Sequence, residues 1–102
     1  DVYKRQIAGR WTGTYGNGTA STPNFYSFQF NTDGTMQVIS NTGALLARGT
    51  YSFSNNTVSG TYTYSGSGSF SFTGTLANNS LNGTWGSGNS TQGGGRWTMN
   101  KN

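Results

Sequence analysis

Cysteine, histidine and glutamate are missing from this chain, and its 102 positions hold only two acidic residues and one proline. The lack of cysteine excludes disulfides, thiolate nucleophiles and Cys-based metal sites together, and leaves the redox compartment unreadable. Asp1 and Asp33 are the only carboxylates, so paired-carboxylate, Ser-His-Asp and metal-water mechanisms have no residues to run on. Tyrosine and arginine remain as groups able to move a proton or polarise a carbonyl, but no partner is at hand to shift their pKa. The chain is therefore expected to be no enzyme and to need no cofactor or metal. Asp33, in Asn31-Thr32-Asp33-Gly34, reads as a hairpin turn, because one carboxylate cannot supply a calcium ligand set.

Charge is scarce as well, at 8% of residues, with a formal net charge of +4. The first six residues, Asp1-Val2-Tyr3-Lys4-Arg5-Gln6, can be encoded by GAT GTG TAT AAG AGA CAG, a transposon adaptor used in preparing sequencing libraries. Residues 1–6 are accordingly expected to be translated adaptor joined to a truncated gene, a truncation that leaves room for a lost upstream signal peptide or domain, and 7–102 are read as a single domain. That leaves Arg10, Arg48, Arg96 and Lys101 against Asp33. These cations are scattered, without the basic stripe of a phosphate-backbone binder, so no nucleic-acid partner is expected.

What is abundant is Gly, Ser, Thr and Asn, with 15% aromatic residues, a combination that packs rather than remaining disordered. Such a composition suits a secreted or cell-surface bacterial protein. Large apolar residues alternate with Ser, Thr or Gly throughout, a period of two that predicts strands and no significant helix. They are expected at Ile7–Tyr15, Phe25–Phe30, Thr35–Ser40, Ala44–Phe53, Thr57–Tyr64, Ser69–Leu76, Leu81–Trp85 and Gly95–Lys101. The short connections Asn31–Gly34, Asn41–Gly43, Ser54–Asn56 and Ala77–Ser80 are turn chemistry and force antiparallel neighbours.

A Gly-Thr-apolar unit recurs at Gly13-Thr14-Tyr15, Gly49-Thr50-Tyr51, Gly60-Thr61-Tyr62, Gly74-Thr75-Leu76 and Gly83-Thr84-Trp85. Its glycine and large residue share one face. That face carries every aromatic except Tyr3 and Phe25, together with Met36, Val38, Leu45, Ala47, Val58, Leu81 and Met99, while Thr, Ser, Asn and the cations occupy the other. A one-sided sheet of this kind covers itself by closing, which predicts an antiparallel eight-stranded up-and-down meander barrel rather than a sandwich. Strands of about seven residues tilted by about 40° rise only about 18 Å, short of the roughly 25 Å band of a membrane barrel, so no membrane span is expected.

Gly9-Arg10-Trp11 on the first strand resembles the Gly-x-Trp signature of the calycins, the superfamily of lipocalins and avidins. Gly9-Arg10-Trp11-Thr12 is similar to the start of avidin-type chains, and Val58-Ser59-Gly60-Thr61-Tyr62 to a hairpin motif among them. The resemblance implies a small-ligand barrel. It also implies a basic residue of the last strand packed over Trp11, a role that falls to Arg96. The chain departs from the pattern in three ways: it has no C-terminal helix, Gly13 stands where avidins place a biotin-bonding Asn, and no acid follows on the last strand. Biotin binding does not carry over.

Connections of a meander alternate between the two ends of a barrel, so the tight turns gather at a closed base and the long loops Gly16–Asn24 and Gly86–Gly94 at an open mouth. Near the mouth fall Tyr15, Tyr26, Tyr62, Tyr64, Phe70, Trp85 and Trp97, of which Tyr15, Tyr26, Tyr62, Tyr64, Trp85 and Trp97 are the candidate ligand-binding residues. Between mouth and base runs a belt of Gly13, Ala47, Gly49, Gly60, Gly74 and Gly83. It reads either as a void for a ligand or as the place where facing aromatics fill a narrow barrel. Outward-facing Arg10, Arg96 and Lys101 read as a solvated face or a small anion patch. The sequons at Asn17, Asn55, Asn78, Asn82 and Asn89 are expected by chance in this composition. Two functions stay open: a binding module for a small hydrophobic or aromatic molecule, or a structural or surface-interaction domain with a filled core.

Overall fold

The computed structural model describes residues 7–16, 24–64 and 68–101. Residues 1–6 and the sequon at Asn17 lie outside the described residues, as does most of the loop before Asn24. Eight strands run in order: β1 (Gly9–Tyr15), β2 (Asn24–Phe30), β3 (Thr35–Ile39), β4 (Leu45–Ser54), β5 (Thr57–Tyr64), β6 (Ser69–Ala77), β7 (Ser80–Ser87) and β8 (Gly95–Lys101). Each pairs antiparallel with the next, and β1 also pairs with β8, with Tyr15 opposite Trp97 and Trp11 opposite Lys101. The sheet is thus a closed up-and-down barrel.

The turn residues explain the base. Asn55 and Asn56 (φ 52° and 60°) and Asn78 and Asn79 (φ 51° and 65°) form two-residue connections with both central residues left-handed, which suits the twist of paired strands. Asp33 accepts hydrogen bonds from the Thr35 amide (3.0 Å) and hydroxyl (2.6 Å), closing the β2–β3 hairpin.

Alternation then buries one face. Trp11, Phe28, Phe30, Met36, Val38, Val58, Phe72, Leu81, Trp97 and Met99 are each 0–1% exposed, and burying side chains of this size stabilises the fold by roughly 1.5–3 kcal/mol apiece. The outer wall pairs hydroxyls instead, Ser59 with Thr73, Thr61 with Ser71 and Thr63 with Ser69. Among the described residues no helix is long and apolar enough to cross a membrane.

The structure departs from the sequence expectation at three places. The first strand begins at Gly9, not Ile7: Gly9 takes φ 118°, which turns the chain, and Ile7 is fully buried, with its carbonyl accepting the Trp11 indole N–H at 2.8 Å. Leu45 does not face inward. The register of β3 against β4 shifts between Val38 and Ile39, and a shift of one residue reverses the faces beyond it. Leu45 and Leu46 are each 43% exposed as a result. Finally, the middle of the long β7–β8 loop folds onto the outer wall, while its Gly94 end packs against the Trp85 ring at the mouth. The Gly88 amide donates to the Ser69 carbonyl (2.8 Å), Ser71 Oγ to the Gly88 carbonyl (2.6 Å) and Thr84 Oγ1 to the Thr91 carbonyl (2.8 Å).

Candidate functional site

At the mouth, the last inward residues of β1, β5 and β7 and the first of β2 and β6 converge because those strand ends share one rim. Tyr15, Tyr26, Tyr62, Tyr64, Phe70 and Trp85 enclose a cavity of about 80 Å³. Five of the six candidate binding residues line it. The sixth, Trp97, does not: it is 1% exposed and forms part of the packing beneath, edge-on to Tyr26, Phe28 and Phe72. Phe70 takes the remaining place in the wall. The strand pattern places it near the mouth, although it is not among the candidate binding residues.

The belt below the mouth is filled. A Cβ on Gly74 would lie 2.6 Å from the Trp97 ring, and one on Gly60 2.9 Å from the Phe72 ring. At Gly13, Gly49 and Gly83 a Cβ would meet a backbone carbonyl of the neighbouring strand at 1.8–1.9 Å. Glycine therefore serves the sharp coiling and dense filling of a narrow barrel. The cavity stops at this layer.

Hydrogen bonding within the wall is largely internal. Tyr26 and Tyr62 share a hydrogen bond between their hydroxyls. Burial pushes the pKa of Tyr26 well above the usual tyrosine value, and the neighbouring tyrosines add to the shift. Burial raises Tyr62 and Tyr64 in the same direction, so all three stay neutral phenols across the physiological range. The Trp85 indole donates to the Gly16 carbonyl (3.1 Å) and that of Trp97 to the Thr84 carbonyl (3.0 Å), which fixes both rings. Among the described residues no charged side chain lines the cavity.

The cations are arranged differently from expectation. Lys101, not Arg96, stands over Trp11, its Nζ 5.9 Å from the ring centroid. The reason is register: Lys101 is opposite Trp11, whereas Arg96 lies at the other end of β8, where its carbonyl accepts the Gly16 amide. Arg10 and Arg96 are thus separated by about six residues along the strand direction, roughly 20 Å at a strand's rise. Arg10 reaches Gln29 instead (3.3 Å). No anion patch forms from these two. Among the described residues no group of three or more acidic side chains gathers at a metal-binding distance.

One feature escaped the sequence reading. Where the β7–β8 loop folds back, Thr50, Ser52, Ser59, Thr61, Ser71, Asn89 and Thr91 border an open groove of about 390 Å³ on the outer wall. The outward hydroxyl ladder was visible in the sequence, but the path of the loop over it was not. Compared with known proteins, the chain matches no family model, no curated protein and no solved structure.

Proposed function

We propose that this domain is a non-enzymatic, calycin-like binding module that takes a small hydrophobic or aromatic molecule at the barrel mouth through Tyr15, Tyr26, Tyr62, Tyr64 and Trp85. One observation carries the reading: above a glycine belt filled by facing rings, the space left open at the mouth is walled, among the described residues, by aromatic side chains. A concave, mostly apolar site with a few hydroxyls is the usual form of a small-ligand pocket. At about 80 Å³ the cavity is well below the roughly 300–1,000 Å³ that encloses a drug-sized ligand. It therefore holds a compact end of the ligand, and the remainder rests on the half-buried rim at Tyr64, Phe70 and Trp85. The hydroxyl-rich outer wall and the scattered cations support a secreted or cell-surface protein in water, with no nucleic-acid partner.

Tryptophan emission and indole NMR shifts, recorded against a panel of small lipophilic and aromatic compounds, test the reading. A saturable change at Trp85 is expected, weakened in Tyr15→Ala. The filled belt favours a second reading, a structural or surface-interaction domain with no small ligand. A flat response across the panel would establish that reading in place of the first.

A further inference from the structure

The outer wall is polar except at one place. Alternation puts Thr, Ser, Asn, Gln or a cation at nearly every outward strand position, and the large apolar side chains exposed among the described residues are Phe25 (41%), Leu45 (43%) and Leu46 (43%). All three lie at the mouth end, Phe25 as the second residue of β2 and Leu45 and Leu46 as the first two of β4. The register shift between Val38 and Ile39 brings them out together. Past it, Leu45 is opposite Ile39, the last residue of β3, and both stand on the outer face. Ile39 is buried there without belonging to the core cluster. Because β3 lies between β2 and β4 in the sheet, the four residues form one outer lip.

Charge sorts along the same axis. Arg48 follows Leu46 by two residues on β4, and Arg96, the second residue of β8, lies two strands from β2 on the other side. Both are exposed. Asp33, the acid among the described residues, lies in the β2–β3 turn at the base. The mouth end therefore offers apolar side chains flanked by two cations, with no described carboxylate near them.

Size and charge together choose the occupant. A stable contact with a second copy takes about 20–30 residues a side, far more than this lip supplies. A two-fold contact across the lip would also gather like cations, with the acid at the far end of each barrel. A bilayer makes neither demand: attachment grows with the apolar area inserted and with the attraction of cations to anionic headgroups. Arginine stems are long enough to carry their charge to the headgroups from behind the lip.

We propose that the mouth end of the barrel docks reversibly on an anionic lipid surface, Phe25, Leu45 and Leu46 entering the headgroup region and Arg48 and Arg96 pairing with lipid phosphates. The barrel touches the surface end-on and does not span it. Docking requires no small molecule in the mouth cavity.

Co-sedimentation of the full chain with vesicles tests this, using equal parts of phosphatidylglycerol and phosphatidylcholine against phosphatidylcholine alone. Binding to the mixed vesicles is expected to be about 10- to 30-fold tighter, the gain from two arginines near an anionic surface. Leu46→Ser and Phe25→Ser, at exposed positions, should each weaken it by about 3- to 10-fold with the circular dichroism unchanged. Arg48→Gln should weaken it by about 5-fold, whereas Arg10→Gln, which removes the same charge at the base, should leave it within about 2-fold. No binding to the mixed vesicles would overturn the docking. Equal losses in Arg10→Gln and Arg48→Gln, with both serine variants unaffected, would overturn it too, because net charge alone would then hold the chain. A dimer in sedimentation velocity that Leu46→Ser abolishes would give the lip to a second copy instead.

Discussion

Gly74→Ala tests the filled belt most directly. Gly74 lies on β6 opposite Gly83, and its added methyl would sit 2.6 Å from Trp97 Cζ2 and 2.8 Å from Cη2. Carbon atoms in ordinary contact are about 3.5–4.0 Å apart, so the indole must move by about 1 Å. It has little room to do so. Trp97 is 1% exposed, packs edge-on to Tyr26, Phe28 and Phe72, and is anchored by its N–H to the Thr84 carbonyl. Overpacking in such a site costs about 1–3 kcal/mol, and about 2 kcal/mol corresponds to a fall in Tm of about 8–16 °C for a domain of this size. The assay is chemical and thermal unfolding, with the near-ultraviolet circular dichroism of Trp97 as a local reporter. Gly68→Ala is the control, because nothing lies within 4 Å of its Cβ position, and it should change stability by less than about 0.5 kcal/mol. In a double-mutant cycle, Trp97→Phe should make Gly74→Ala less costly, since the smaller ring leaves space for the methyl. A stabilised Gly74→Ala would refute the reasoning, because a methyl gains energy only by entering empty space, and the belt would then be a void.

Three further outcomes are expected. Because burial raises the pKa of Tyr26, Tyr62 and Tyr64 above the ordinary 10.0, the folded chain holds protons that the unfolded chain releases first; their contribution to stability should be fully present below about pH 10 and be lost as pH rises beyond it, with a shallower fall in Tyr62→Phe, as denaturant midpoints across that range will show. At the β6–β7 turn, where Asn79 has φ 65°, Asn79→Ala should lower stability by about 1 kcal/mol and Asn79→Gly should not, measured by urea unfolding. Lys101→Ala should cost about 0.5–1 kcal/mol through its loss from the Trp11 face, while Arg96→Ala should leave the unfolding midpoint unchanged; the reverse order would assign the cation above Trp11 to the wrong residue.

Most of the architecture was legible because its signals are local. A period of two places side chains on alternate faces whatever the rest of the chain does, and paired asparagines adopt left-handed turns on their own preference. The strands accordingly all begin and end within two residues of expectation. Loop parity then brought Tyr15, Tyr26, Tyr62, Tyr64 and Trp85 to one end. Trp97 misled because its place in the strand resembles Tyr15's, its direct partner. A large indole leans across the barrel, and here it descends to the empty face of Gly74, a direction that strand position alone does not encode.

The sequence by itself determined that this chain closes a one-sided sheet, where it turns, and that it contains no Cys, His or Glu. Only the tertiary structure decided which ring fills which glycine, which cation covers Trp11, and how large the space at the mouth is. Those outcomes depend on strand tilt, on cross-strand register and on side-chain volumes summed around all eight strands. No single stretch of the chain carries them, because the gap left beside one residue is set by side chains that reach it from the far side of the barrel.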